Sequence, residues 1–201
     1  MTSRSTHLVT PEGPGSVSGA PNLPAGFTDQ FTSRYIDTDG LRLHAVIRGE
    51  GQPLLLVHGW PENWYAWRLL MPALAKDFEV IAVDQRGIGL SDKPQDGYAL
   101  APSLALDATL AQNEQRKTRR LKMPVLAIGG AASWGEHVGD AMKPLADDVQ
   151  SVVISGAGHW VAEQAPEDML AALTAFLAPY RGAAAHTLRP DAGAGPTPAY
   201  P

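Results

Sequence analysis

The sequence predicts an α/β domain: a mainly parallel sheet with helices on both faces, entered through an N-terminal antiparallel hairpin. Three features lead there. Unbroken apolar runs of strand length recur and end in Gly, Asp or Ser; stretches with helical spacing of apolar residues lie between them; and a Thr-Asp-Gly turn joins two earlier strand-like segments.

Taken in order, Phe31 to Asp37 and Leu41 to Arg48 flank Thr38-Asp39-Gly40 and form the hairpin. PLLLVHG (53–59) is a continuous apolar run closed by Gly, the pattern of a strand buried on both faces. Asn63 is a suitable N-cap for WYAWRLLMPALAKD, where Trp64, Trp67, Leu70 and Leu74 recur at helical spacing and Pro72 kinks or shortens the helix. FEVIAVD (78–84) is a second buried strand, and 103–119 is mainly helix-forming. PVLAIGG (124–130) and DVQSVVIS (148–155) are two further strands with a short helix between them. The last helix begins at APED, with Pro166 in its first turn and Glu167 and Asp168 complementing its dipole; Met169, Leu170, Leu173, Phe176 and Leu177 make its apolar face. Residues 1–28 and 181–201 are rich in Pro, Gly, Ser and Ala without apolar periodicity, and are expected to be disordered tails around a domain at 29–180.

Composition narrows the function classes. The 201 residues carry 16 basic and 21 acidic side chains, a formal charge of −5, which argues against a coat for nucleic acid or an anionic membrane. A basic cluster at Arg116, Lys117, Arg119, Arg120 and Lys122 lacks interleaved aromatics and is expected to be a solvated helix end, so no nucleic-acid partner is expected. The absence of cysteine removes disulfides, thiol nucleophiles and thiolate metal sites. The six histidines form no HxH or HExxH pair, and GIG (87–89) lacks the GxGxxG spacing of a nucleotide loop, so neither metal nor cofactor is expected. No apolar run reaches the ~20 residues that span a bilayer. The first thirty positions lack a secretory signal, so a cytoplasmic protein without membrane contact is expected.

In a parallel sheet the chemistry gathers at the carboxyl ends of the strands. Three polar, Gly-rich segments stand there: His58-Gly59-Trp60-Pro61-Glu62, then Asp84 to Pro94, then Ser155-Gly156-Ala157-Gly158-His159-Trp160. Gly59 lets the backbone turn so that the Trp60 amide points inward as an oxyanion donor; the plainer reading is a turn braced by His58. Asp84 and Arg86 are expected to pair and lace their loop together rather than do chemistry. Trp60, Trp64, Tyr65 and Trp67 are candidates for a hydrophobic pocket wall, with Trp64 and Trp67 at least partly core.

HGWPENWYAWR and DQRGIGLSDKP together resemble the epoxide hydrolase and haloalkane dehalogenase branch of the α/β-hydrolase fold family, over roughly 30–98 and 120–180. The resemblance implies attack by a carboxylate on an epoxide carbon and hydrolysis of the resulting ester by histidine-activated water. It assigns the water-activating role to His159 and the oxyanion donor to the Trp60 amide. It also implies a nucleophile elbow, two strands and a cap between Pro94 and Pro124. Only about thirty residues stand there, with a residual cap or linker at 98–123, so a truncated α/β-hydrolase fold is expected.

Ala131-Ala132-Ser133-Trp134-Gly135 fits small-x-Ser-x-Gly, which makes Ser133 a candidate nucleophile; the resemblance puts this loop at the strand that often carries the acid, which favours a polar loop residue instead. No carboxylate stands at Ala132 or Ser133. Glu136 is the candidate acid, Asp140 an alternative, and a solvated helix start accounts for both equally well. Removing two strands spaced by about 4.8 Å leaves roughly 14 Å between the 53–59 and 124–130 strands, so the sheet must rejoin, split or pair with a second copy. The expected function is accordingly an impaired relative of epoxide hydrolases, acting on a small apolar epoxide or ester; the alternative is a non-catalytic remnant that self-associates or binds a partner through strand edges.

Overall fold

The computed structural model describes residues 10–38, 40–59, 61–95 and 120–182. The hairpin forms as expected: β1 (Thr32–Asp37) pairs antiparallel with β2 (Arg42–Arg48), and Thr38 closes the turn through its amide and hydroxyl, both donating to the Leu41 carbonyl. β3 (Gln52–Val57) runs parallel to β4 (Phe78–Val83), which pairs antiparallel with β2, giving the mixed order β1-β2-β4-β3. β5 (Val125–Gly130) and β6 (Val149–Ile154) form a separate parallel pair. Of the three outcomes of a shortened sheet, the split is the one seen among the described residues.

The core lies on one face of the larger sheet. Val46, Leu56, Val80 and Ala82, brought to that face by the pairings Leu56↔Ala82 and Val46↔Ala82, pack with Trp64, Leu70, Met71 and Leu74. The helix expected from Asn63 is divided in two. Asn63 does cap it, its side-chain oxygen accepting the Tyr65 amide at 2.9 Å, but a 3-10 turn (Trp64–Trp67) precedes one α turn, α2 (Met71–Leu74), with Pro72 at its start. Proline lacks an N–H and fits only the first turn of a helix, so Pro72 forces the restart. The opposite face explains a second departure. β3 was expected to be buried on both sides, yet Leu55 is 59% and Val57 49% exposed, because β3 is an edge strand of its sheet.

The N-terminal expectation is corrected over its described part. From Thr10 onward the segment packs on the domain: the Trp64 indole N–H donates to the Gly15 carbonyl at 2.8 Å, the Tyr65 hydroxyl to the Pro21 carbonyl at 2.6 Å, and the Val17 amide to Ser33 Oγ at 3.0 Å. Ser16, Val17 and Phe27, which opens the short helix α1 (Phe27–Gln30), are buried. Its polar composition hid two anchors spaced too far apart to read as periodic. The far C-terminal stretch and the helix-forming 103–119 lie outside the described residues.

Around the small sheet, α3 (His137–Met142) packs on β5 and β6, with Val138 against Gly129 and Gly139 against Ser151. After the single turn α4 (Val161–Gln164), α5 (Pro166–Leu177) follows from Pro166 as expected, and Ala171 and Ala172 share a groove with Val152 and Ile154. Met169, Leu170, Leu173 and Leu177 pack against the main core, so α5 joins the two sheets. Arg68 adds a strap, its guanidinium 2.6 Å from Glu163 Oε1 and 3.9 Å from the Tyr65 ring centroid.

Candidate active site

Strand order and glycine together place the candidate residues. β5 ends in Gly129-Gly130, and a Cβ on Gly130 would lie 2.1 Å from the Gly158 carbonyl oxygen, so the loops after β5 and β6 touch backbone to backbone. They are stitched by the Ala131 amide to the Ile154 carbonyl and the Ala132 amide to the Ala157 carbonyl, both 2.9 Å. Tight turn bonds from Ser133 and Gly135 back to the Gly130 carbonyl, 3.0 and 3.1 Å, shape the first loop. The result is a cavity of about 230 Å³ lined by Gly130, Ser133, Trp134, Gly158, His159 and Val161.

His159 and Ser133 therefore share one cavity wall. His159 is exposed, its ring set edge-on to Trp160 with centroids 4.6 Å apart. No carboxylate lines this cavity or pairs with His159 among the described residues. Glu136 stands at the N-cap of α3, exposed and away from the cavity lining. Asp140 is turned to the helix surface, where a hydrogen bond and the charge of Lys143 hold its carboxyl below the usual range. Trp60 lies outside the described residues.

In the loops before it, His58 ties the two strand ends together. His58 is buried; its Nε2 accepts the Gln85 amide at 3.1 Å, which leaves the proton on Nδ1 to donate to the Gly59 carbonyl at 2.8 Å. Asp84 has partners that the sequence reading missed. Its carboxylate accepts from the Trp64 amide (2.9 Å), the Leu90 amide (3.0 Å) and His44 Nδ1 (2.8 Å), while His44 Nε2 meets Ser33 Oγ at 3.0 Å. A histidine within an otherwise apolar stretch of β2, Leu43 to Ile47, was the available signal. Burial pushes the Asp84 carboxyl up, and the bonds from His44, Trp64 and Leu90 outweigh it, so the group sits below its ordinary value.

Of the aromatics, Trp64 is core, whereas Tyr65 lines a second cavity of about 270 Å³ with Glu62, Asn63 and Trp160. Arg120 and Lys122 of the basic cluster both pair with Asp147, at 2.5 and 2.6 Å. The other three members lie outside the described residues. No group of metal-ligating side chains occurs among the described residues, and no described helix is long and apolar enough to cross a membrane.

Comparison with known proteins adds the fold. A family model described as the alpha/beta hydrolase fold matches residues 52–106. Solved structures superpose more widely: Cfl2 from Burkholderia cenocepacia with a TM-score of 0.67 at 19% identity, over 79% of this chain and 98% of that one. The epoxide hydrolase CorEH follows with 0.64 at 20%, over 76% of this chain and 100% of that one. The fold is that of the α/β hydrolases. Within this hydrolase fold the sequence is similar to a soluble epoxide hydrolase of Corynebacterium sp. (strain C12), 55% identical over 69 residues, which are 34% of this chain and 24% of that protein. It is also similar to epoxide hydrolase 1 of Caenorhabditis elegans, 43% identical over 84 residues, which are 40% of this chain and 20% of the relative. The matched stretches thus span a quarter or less of these relatives' length.

Proposed function

We propose that this hydrolase-fold chain keeps the water-activating half of an epoxide hydrolase site and, among the described residues, lacks its attacking carboxylate. The observation that carries the reading is the cavity where the β5 and β6 loops meet, which contains His159 and no described carboxylate. In the implied reaction a carboxylate oxygen attacks an epoxide carbon, the ring C–O bond breaks, and an ester forms. Water then attacks the ester carbonyl while His159 takes its proton, and the acyl–oxygen bond breaks to release a diol. His159 supports the second step, and the Trp60 amide is assigned the developing oxyanion. The first step has no assigned residue. A small apolar epoxide or ester as substrate and a cytoplasmic setting belong to the same proposal; the similarity to a soluble epoxide hydrolase supports them.

Purified protein is expected to turn over a chromogenic epoxide at background rate, unchanged by His159→Ala. Brisk epoxide turnover that His159→Ala abolishes would overturn the missing-nucleophile reading. A short-chain ester tests Ser133, which shares the cavity: turnover lost in both Ser133→Ala and His159→Ala would make Ser133 the nucleophile and Glu136 or Asp140 the acid to examine next.

A second, non-catalytic reading is favoured by the edge strand. Leu54 to Val57 carries no charge, and two of its side chains stand exposed, the features of an edge open to pairing with another chain. Leu55→Lys is expected to remove concentration-dependent self-association in sedimentation velocity while changing stability by only about 0.5 kcal/mol. A monomer at all concentrations before substitution would sink this reading.

A further inference from the structure

We infer that Gln164 is the positioning residue for His159, a role that rests on reading His159 as the base. One side-chain oxygen holds the backbone on both sides of the histidine: Gln164 Oε1 accepts the Gly158 amide at 2.8 Å and the Trp160 amide at 3.2 Å. The Gln164 amide itself donates to the Trp160 carbonyl at 2.9 Å, so the residue that clamps the loop is fixed to it by the first turn of α4.

The arrangement follows from helix-end chemistry. The first amides of a helix lack intrahelical acceptors, and a Glu or Gln in the first turn can reach back to satisfy them. Trp160 occupies the N-cap of α4 and provides no side-chain cap of its own. Gln164 reaches back to the amide of Trp160 itself and two residues further, to Gly158. A Cβ at Gly158 would lie 3.2 Å from Gln164 Oε1, so the glycine before the histidine admits the close approach of that amide.

The consequence concerns an imidazole that has no described carboxylate to orient it. With both flanking amides held by one oxygen, the His159 Cα is fixed between them, and the ring's remaining freedom is limited by its edge contact with Trp160. Backbone clamping takes the place of an orienting acid.

The test compares Gln164→Leu, which removes the acceptor, with Gln164→Glu, which keeps it. In the full chain, amide hydrogen exchange at Gly158 and Trp160 is expected to quicken about tenfold in Gln164→Leu and to stay slow in Gln164→Glu, as the loss of a hydrogen bond worth about 1–1.5 kcal/mol requires. The NMR spectrum of His159 provides a readout that simple stability does not move: Gln164→Leu is expected to collapse the ring's shifts toward those of a mobile histidine, and Gln164→Glu to keep them in place. Any ester turnover present is expected to fall in kcat with KM held in Gln164→Leu and to recover in Gln164→Glu. Unchanged exchange and an unchanged His159 spectrum in Gln164→Leu would overturn the inference. If the clamp is confirmed while His159→Ala leaves turnover intact, the reading of His159 as base fails and the clamp stands.

Discussion

Asp84→Ala is expected to cost about 3–5 kcal/mol of folding stability, because three buried donors each lose a charged acceptor and every buried group left unsatisfied costs about 1–3 kcal/mol. The carboxylate is fully buried and accepts from three donors that belong to three separate parts of the chain: the Trp64 amide at the start of the 3-10 turn, the Leu90 amide in the Gly-rich loop, and His44 on β2. Alanine leaves all three without an acceptor in a site closed to water, and each buried orphan adds its own desolvation cost. His44 also loses the group that holds its proton on Nδ1, and with it the defined bond that Nε2 accepts from the Ser33 hydroxyl, whose oxygen in turn accepts the Val17 amide. The N-terminal segment is therefore expected to loosen in the same variant. Urea unfolding measures the stability, and amide exchange at Val17 reports the loosening. A loss under about 1 kcal/mol would show that the network is incidental.

The pH dependence has a definite sign. The folded Asp84 carboxyl lies below its ordinary value of 3.8, so the unfolded chain binds the proton more readily. Its contribution is fully present above that ordinary value and is lost as pH falls toward and through the folded one. The wild type is expected to lose stability steeply below about pH 4, and Asp84→Asn to show a shallower acid limb, since the exposed Asp140 and Asp147 act alike in both proteins. Equal acid slopes would contradict the assignment.

Where the sequence pattern is carried by local chemistry, it was readable. The hairpin turn, the ends of β4, β5 and β6, the Asn63 cap and the start of α5 at Pro166 follow from residues within a few positions of one another. What escaped depends on contacts across long sequence separations. The packing of the segment from Thr10 onward needs Trp64, Tyr65 and Ser33, residues that say nothing about it when read along the chain. The exposure of Leu55 and Val57 depends on which strand flanks β3, and an apolar run reads identically at the centre and at the edge of a sheet. At the site, the loop of His159 was legible from its glycines and its place after a strand. Its meeting with Ser133 required the β5–β6 pairing, and the reach of Gln164 required the turn of α4.

Gly130→Ala is expected to disrupt both the small sheet and the candidate site, because the new methyl would stand 2.1 Å from the Gly158 carbonyl oxygen and 2.6 Å from that of Ala157. Both obstacles are backbone atoms, so no side-chain rotation relieves them, and either β5 or the histidine loop must move. Overpacking of this kind costs about 1–3 kcal/mol. The direction of movement matters more than the cost. Pushing the loop away breaks the Ala132 to Ala157 bond, opens the contact between the Ser133 and His159 segments, and widens the cavity they share. Gly156 is the control: it lies in the same loop with φ +75°, and a Cβ there meets nothing within 4 Å. Gly156→Asn, a residue that tolerates this left-handed backbone, is expected to cost about 1 kcal/mol or less and to leave the His159 resonance unmoved. In Gly130→Ala the same resonance is expected to shift, and exchange at Ala132 to rise. If both variants behave alike, the close approach of the two loops is not what positions the histidine.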